Sequence, residues 1–201
     1  MLGQPLDTWM ALLAPYECHR ADSIRDLAAR RAYVAAHVLV REVAAQLLDL
    51  SPSRLTLVQR CETCGGDHGR PSLESHPHVF VSLSHARHVV AAAASDAPVG
   101  IDVEDLPGMR YDTLRRSVVF SSKEIAAIDA LAPDLRDEAA ARLWVRKECT
   151  IKLGLTSVDD PSDHASVAAA AGCLFSDWRH ESLAVVGAVA SRIPAALRLL
   201  A

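Results

Sequence analysis

The sequence predicts an α+β protein of two lobes. Half of the 201 residues are hydrophobic and only 4% are aromatic, a composition typical of a helix-rich globular protein when alanine and leucine are abundant. The chain is long enough for one domain or for two small halves with a real core. Each half is predicted to contain helices and then strands, which favours one mixed lobe in each. We therefore predict an N-terminal lobe over residues 1–98 and a C-terminal lobe over residues 99–201.

The N-terminal half is predicted to begin with a long helix over residues 22–50. Apolar residues recur there at helical spacing, Asp22 or Ser23 can cap the start, and Pro52 stops the continuation. A short strand is predicted at residues 55–59.

A loop and two strands complete this half. The segment Cys61 to His78 is predicted to be a loop because Gly, Pro, His and Cys are crowded in it. Strands are predicted at residues 79–83 and 89–95, and residues 84–88 between them can open a helical turn.

The C-terminal half is predicted to alternate strands and helices, each bounded by a turn or a cap. In chain order the elements are a strand at 99–104, a helical stretch at 111–119, a helix opened by the capping residues Ser121 and Glu124, a helix from Pro133 to about Leu153 closed by Gly154, and a strand at 183–190.

Composition also excludes several classes of function. The formal net charge is −4, so the chain as a whole carries no signature of nucleic-acid binding or of a polybasic membrane surface. No apolar run approaches the roughly 18 residues of a membrane helix, and the N-terminus lacks the basic start of a secretory signal. Five cysteines are an odd number, which is simplest for reduced thiols. We therefore expect a cytoplasmic protein that binds neither nucleic acid nor membranes.

The segment VGIDVEDL places two carboxylates inside an apolar strand. Residues two apart point to the same face of a strand, so Asp102 and Glu104 project together. Adjacent carboxylates repel each other unless a cation lies between them. The pattern alone fits either a strand end that enters solvent or a site for a hard divalent cation such as Mg²⁺.

The segment WVRKECTIKLG aligns three functional side chains on one helical face. Trp144, Glu148 and Lys152 occupy positions i, i+4 and i+8. The stripe fits a surface Glu–Lys pair with a packed Trp. It also fits a site for a metal-bound phosphate, in which Glu148 ligates the cation or accepts a proton and Lys152 neutralises phosphate oxygens.

The loop CETCGGDHGRPSL carries Cys61, Cys64 and His68, a possible set of sulfur and nitrogen ligands for zinc. No fourth ligand is evident nearby, although His76 or His78 could serve. The alternative is a glycine-rich loop with reduced thiols.

Taken in order, VSLSHARHVVAAAAS, VGIDVEDL, FSSKEIAAI and LWVRKECTIKLG resemble the Sfp-type 4′-phosphopantetheinyl transferases. The cysteine loop is also similar to that family's C-x-x-C-G-x-x-H-G-[KR]-P segment, and the resemblance covers roughly residues 25–190. It implies two similar α+β lobes related by a pseudo-twofold axis, with coenzyme A in the cleft between them. It further implies an enzyme that acts as a monomer. With Mg²⁺, such an enzyme moves the phosphopantetheine arm of coenzyme A to a serine of an acyl or peptidyl carrier protein and releases adenosine 3′,5′-bisphosphate.

The resemblance also implies roles for individual residues. The metal-binding acids would be Asp102, Glu104 and Glu148, and Glu148 would also be the base for the carrier serine. The residues that contact the phosphates of coenzyme A would be Arg31, Arg70, Ser84, His85 and Lys152. For the carrier-docking patch we expect the stretch from Arg110 to Phe120.

The chain departs from the family pattern in one helix, where His37 stands in place of a usual arginine and Arg41 is kept. A neutral histidine binds phosphate less strongly, so Arg31, Arg41 and His85 are expected to carry more of that load. Lys147 matches the motif but receives no role. Two other functions compete with transfer: a non-catalytic protein that binds coenzyme A or a carrier, and a zinc-binding interaction module built on the cysteine loop.

Overall fold

A computed structural model describes residues 6–113, 116–157 and 164–198. The chain divides into two compact units, Met1–Val99 with Ala195–Ala201, and Gly100–Pro194. Each unit contains helices and a sheet, so the predicted α+β class is confirmed.

The first unit packs helices against a four-stranded antiparallel sheet of order β1-β2-β3-β4. Its elements are α1 (Leu6–Met10), α2 (Pro15–Ser23), α3 (Leu27–Leu48), a 3-10 helix (Pro52–Arg54), β1 (Leu57–Val58), β2 (Ser72–Leu73), β3 (Phe80–His85) and β4 (Val90–Ser95).

The long helix α3 starts later than the sequence predicts. Its N-cap is Asp26, whose side chain accepts a hydrogen bond from the Ala29 amide at 2.7 Å. Asp22 and Ser23 instead end the separate helix α2, which begins at Pro15. A proline suits the first turn of a helix because its missing N–H would have no partner there. Because α2 starts at Pro15 and runs to Ser23, the two residues predicted to cap α3 lie inside α2 instead.

The second unit begins within β5 and has a three-stranded sheet of order β5-β7-β6, in which β6 and β7 are antiparallel. Its elements are β5 (Val99–Asp105), 3-10 helices (Leu106–Gly108 and Tyr111–Thr113), α4 (Arg116–Val119), α5 (Ser122–Asp129), α6 (Pro133–Lys152), α7 (His164–Ala170), β6 (Leu174–His180) and β7 (Val185–Ser191).

Several predicted boundaries in this unit are confirmed. The capping box of Ser121 and Glu124 opens α5, and α6 starts at Pro133 and is closed by Gly154, whose φ is +74°. The predicted helical stretch at 111–119 is broken into a 3-10 turn and α4, and residues 114 and 115 lie outside the described part. Strand β6 has no counterpart in the sequence prediction.

Gly100 allows β5 to approach α6 closely. A Cβ atom at this position would lie 2.3 Å from the Cys149 carbonyl oxygen, and on its other side the Cys149 thiol donates to the Ala188 carbonyl oxygen of β7 at 3.2 Å. Strand and helix backbones therefore meet directly at the point where the acidic strand residues begin.

We expect Gly100→Ala to lower the free energy of unfolding by about 1–3 kcal/mol, because the added methyl overpacks a contact between two backbones. Urea denaturation measures the change. Gly108→Ala is the matched control, since a Cβ there meets nothing within 4 Å. Equal stability of the two variants would contradict the close approach.

No helix within residues 6–113, 116–157 and 164–198 is both long and apolar enough to cross a bilayer.

Candidate functional site

The two acids of β5 lie at different depths. Asp102 is only 4% exposed, while Glu104, two residues further along the same strand, is partly buried. A buried carboxylate requires a partner of opposite charge or hydrogen bonds to offset its lost hydration. The predicted helical stripe supplies such partners.

Helix α6 contacts both acids through the two ends of that stripe. The Trp144 indole N–H donates to Oε1 of Glu104 at 3.1 Å. Eight residues further along α6, Lys152 Nζ donates to Oδ1 of Asp102 at 2.7 Å and to the Ile101 carbonyl oxygen at 2.9 Å. The helix therefore runs opposite to the strand, and Glu148, between the two contacts on the same face, is held toward the strand acids.

The charge of Asp102 affects the pKa of both other carboxylates, Glu104 and Glu148. Burial raises the pKa of Glu104, and the neighbouring charge of Asp102 raises it further. Burial also raises the pKa of Glu148, again with a contribution from Asp102, while Lys152 acts in the opposite direction. A cation among these groups would relieve both the repulsion and the lost hydration.

The donor set fits Mg²⁺, which prefers carboxylate oxygens and keeps part of its water shell. The three acids do not form a closed cage in the described residues, where only Cys61, Cys64 and His68 bring three metal-ligating atoms within 4.8 Å of one another. Lys152 partly neutralises Asp102. Open carboxylate sites that share a cation with substrate phosphates are typical for Mg²⁺.

The raised pKa of Glu104 predicts how the stability of the folded protein depends on pH. Because the folded protein binds this proton more tightly than an unfolded chain with the ordinary pKa of 4.5, the ionised carboxylate costs stability at neutral pH, and the cost disappears as pH falls toward the ordinary pKa. Glu104→Gln keeps the acceptor oxygen for Trp144. We expect this variant, in chelator-treated protein, to melt above the wild type at pH 7 and to converge with it on acidification. A difference that grows on acidification would contradict this sign.

Lys147 forms a buried ion pair that the sequence does not predict. It is 2% exposed, lies 2.9 Å from the carboxylate of Glu124 and sits over the ring of Phe120. Glu124 also accepts hydrogen bonds from the backbone and hydroxyl of Ser121. One carboxylate thus caps α5 and ties α5 to α6, so this lysine stabilises the helix that carries Glu148.

The four residues of the first unit that are predicted to contact phosphate lie on a helix, in a loop and in a strand. Arg31 is exposed on α3, and Arg70 is exposed in the cysteine loop with Nη2 3.9 Å from Glu62 Oε1. Ser84 and His85 lie in β3, paired with Ala91 and Val90.

The helical turn predicted at residues 84–88 is therefore wrong. The hairpin connection from β3 to β4 is instead closed by the Ala86 amide, which donates to the Val89 carbonyl oxygen at 2.8 Å. Alternation along β3 leaves Ser84 buried and His85 exposed, so these consecutive side chains point to opposite faces.

Arg41 and His37 do not contribute to a phosphate site in the described structure. Arg41 is fully buried and donates to both carboxylate oxygens of Glu17, at 3.0 and 2.5 Å. His37 is also buried, with Nδ1 2.8 Å from the Tyr33 carbonyl oxygen and Nε2 3.1 Å from Gln59 Oε1. The expectation that Arg41 carries phosphate load is wrong, because its charge is already neutralised inside the core.

The remaining predictions concern the cysteines and the docking patch. The cysteines are free thiols, and burial raises the pKa of Cys149, which suits a packing role rather than a nucleophile. In the stretch from Arg110 to Phe120, Tyr111 and Phe120 are core residues while Val118 is 48% exposed. Docking at this stretch stays a prediction.

Comparison with known proteins shows what the chain is similar to. Residues 98–182 match the model of the 4′-phosphopantetheinyl transferase superfamily. A 4′-phosphopantetheinyl transferase from Bacillus subtilis is 27% identical over 130 residues, covering 65% of this chain and 54% of the relative. The same identity and coverage hold for 4′-phosphopantetheinyl transferase Sfp from Bacillus subtilis strain 168. 4′-Phosphopantetheinyl transferase AcpT from Escherichia coli K12 is 33% identical over 98 residues, covering 48% of this chain and 50% of the relative.

These matches confirm the resemblance predicted from the sequence. The chain spans about half the length of the curated relatives that it matches. The matched segment contains β5 and α6, and hence the acids and the stripe that face one another.

Proposed function

We propose that this chain, a relative of the 4′-phosphopantetheinyl transferases, transfers the phosphopantetheine arm of coenzyme A to a serine of an acyl or peptidyl carrier protein in a Mg²⁺-dependent reaction. The serine oxygen forms a bond to the phosphorus that bears the arm. The bond from this phosphorus to the bridging oxygen breaks, and adenosine 3′,5′-bisphosphate leaves.

One observation carries the proposal. Trp144 and Lys152 contact Glu104 and Asp102, respectively, so Glu148 is held toward a pair of acids from a distant part of the chain. A non-catalytic protein that binds coenzyme A would not require three coupled carboxylates. Their repulsion costs stability unless a cation is bound, and such costs are typical of functional sites.

Each residue of the site has a role in this reaction. Asp102, Glu104 and Glu148 would hold Mg²⁺, which when bound would neutralise the pyrophosphate oxygens and improve the leaving group. Glu148 accepts the serine proton, directly or through one water, as the general base of the reaction. Lys152 is 25% exposed beside Asp102, so its ammonium group can also neutralise a phosphate oxygen. Catalysis then consists mainly of positioning and charge neutralisation.

Further parts of the proposal rest on the family resemblance. Arg31, Arg70, Ser84 and His85 of the first unit would contact coenzyme A, and the two units would be pseudo-twofold-related lobes. A cytoplasmic monomer that binds neither nucleic acid nor membranes is the setting we propose, supported by free cysteines and a net charge of −4.

Mass spectrometry of an apo-carrier protein tests the transfer. After incubation with the chain, coenzyme A and Mg²⁺, the carrier should gain about 340 Da, the mass of the attached arm, as expected for metal-assisted transfer. Peptide mapping should place the gain on a serine, and a chelator should prevent it. An unchanged mass for fatty-acid, polyketide and nonribosomal-peptide carriers alike would overturn the proposed activity.

A further inference from the structure

A loop of the first unit brings two thiols and an imidazole together at the surface. Cys61 is partly exposed, and Cys64 and His68 are exposed. Their possible ligand atoms lie within 4.8 Å of one another, and Cys64 Sγ is 3.0 Å from Nε2 of His68. In a tetrahedral zinc site, bonds of about 2.3 Å to sulfur and 2.0–2.1 Å to nitrogen place these two atoms about 3.5 Å apart. A shift of roughly half an ångström would therefore suffice for this pair.

The backbone of the loop holds this arrangement. The Cys61 amide donates to the Gly66 carbonyl oxygen at 2.7 Å, and the Gly65 amide donates back to the Cys61 carbonyl oxygen at 2.9 Å. Gly65 has a φ of +73°, a left-handed conformation that costs glycine little. The turn between the two cysteines is thus closed by hydrogen bonds on both sides.

Backbone amides also face the first sulfur. The N–H groups of Thr63 and Cys64 donate to the Cys61 thiol. Such donors help to orient the sulfur. Hydrogen bonds to the metal ligands are a regular part of protein metal sites.

The base of the loop is fixed to the body of the unit. The Gly69 amide donates to the Gln59 carbonyl oxygen at 2.6 Å, and the Gln59 side chain lies against His37 of α3. A Cβ at Gly69 would be 2.1 Å from the Arg60 carbonyl oxygen, and one at Gly66 would be 3.2 Å from the ring of His68. These two glycines give the backbone the clearance that the arrangement needs.

We propose that Cys61, Cys64 and His68 form a zinc site with three protein ligands, whose fourth position is filled by water. Two thiolates and one imidazole select Zn²⁺ over hard cations such as Mg²⁺, so this site is chemically distinct from the carboxylates of β5 and α6. Binding releases the thiol protons and closes the loop around the ion. The site belongs to the first unit.

Metal analysis of the purified full chain, kept reduced throughout, tests this site. After dialysis against metal-free buffer we expect one zinc per chain, which a strong chelator removes and added Zn²⁺ restores. Replacement with Co²⁺ should give thiolate-to-metal charge transfer in the near ultraviolet and the intense visible bands of tetrahedral cobalt. Excess Mg²⁺ should leave these bands unchanged.

Variants assign the ligands. Cys61→Ser and Cys64→Ser should each abolish the charge-transfer band or weaken cobalt binding. The loss should exceed the roughly 10–100-fold that follows when a residue that only hydrogen-bonds to a ligand is removed. His68→Ala should weaken binding comparably. Cys18→Ser is the control, because this partly buried thiol lies outside the loop and contacts the Met10 carbonyl oxygen. Circular dichroism checks the fold of each variant.

Two results would overturn the zinc site. One is a reduced wild-type chain that neither retains zinc nor shows charge transfer with excess Co²⁺, a readout that does not depend on any variant folding. The other is a Cys64→Ser variant that binds as the wild type does. The assay contains no coenzyme A and no carrier, so its failure would leave the proposed transfer unaffected.

Discussion

Glu148→Gln is expected to lower the rate of arm transfer by about 10²–10⁴-fold, the range over which a positioned general base contributes. Glutamine has nearly the same shape but cannot accept the serine proton, and it removes one of the three charges available to a cation. The contact between Lys152 and Asp102, at 2.7 Å, does not involve this side chain and should persist. Mass spectrometry of the carrier at increasing times measures the rate.

Stability separates a lost function from a lost fold in this experiment. Because burial and Asp102 raise the pKa of Glu148, its ionised form destabilises the folded protein at neutral pH. Without added metal, Glu148→Gln should therefore melt at or above the temperature of the wild type while transferring the arm far more slowly. A large drop in melting temperature would mean that the rate reflects unfolding.

Glu138→Gln provides a matched control on the same helix. Glu138 pairs with Arg142 and Arg179 at 3.0 and 3.2 Å, so the same substitution leaves the three acids intact. Transfer should stay near the wild-type rate in this variant. If Glu148→Gln also transfers at the wild-type rate, the role proposed for Glu148 is wrong.

Local signals in the sequence were sufficient for the part of the fold that carries the site. Pro133 and Gly154 bound α6, and both act through their own backbone preferences, independently of the rest of the chain. The spacing of the stripe then fixes which side chains share a face. The alternation of side chains along β5 likewise places Asp102 and Glu104 on one face, independently of any contact between strand and helix.

Contacts between residues distant in the sequence determine the roles of several side chains that local sequence signals do not predict. The resemblance suggested phosphate binding for Arg41, yet this side chain is neutralised by Glu17, from a different helix. Lys147 and Glu124 show the same limit. The sequence predicts only a capping role for Glu124 and no role for Lys147, because their ion pair forms only when α5 and α6 pack together. At Ser84 and His85 a helical turn was predicted, but the β4 partner residues extend the strand through both positions because backbone pairing outweighs weak local preference.

Arg41→Leu is expected to destabilise the first unit by about 3–5 kcal/mol, the usual cost of removing one partner of a buried ion pair. The pair is inaccessible to water, with both side chains at most 1% exposed. Loss of the guanidinium leaves the Glu17 charge buried, and the Leu55 and His37 carbonyl oxygens each lose the hydrogen bond that the guanidinium donates. Urea denaturation should show this loss as a lower midpoint with little change in slope.

Two further variants identify the cause of that loss. Arg30→Leu on the same helix breaks an exposed pair with Asp22 and should cost no more than about 1 kcal/mol. Adding Glu17→Met to Arg41→Leu removes the stranded charge and should restore much of the stability, because apolar replacements of a whole buried pair are often neutral. If the double variant were as unstable as Arg41→Leu alone, packing around the guanidinium, rather than the uncompensated carboxylate, would be the main contribution of Arg41 to the fold.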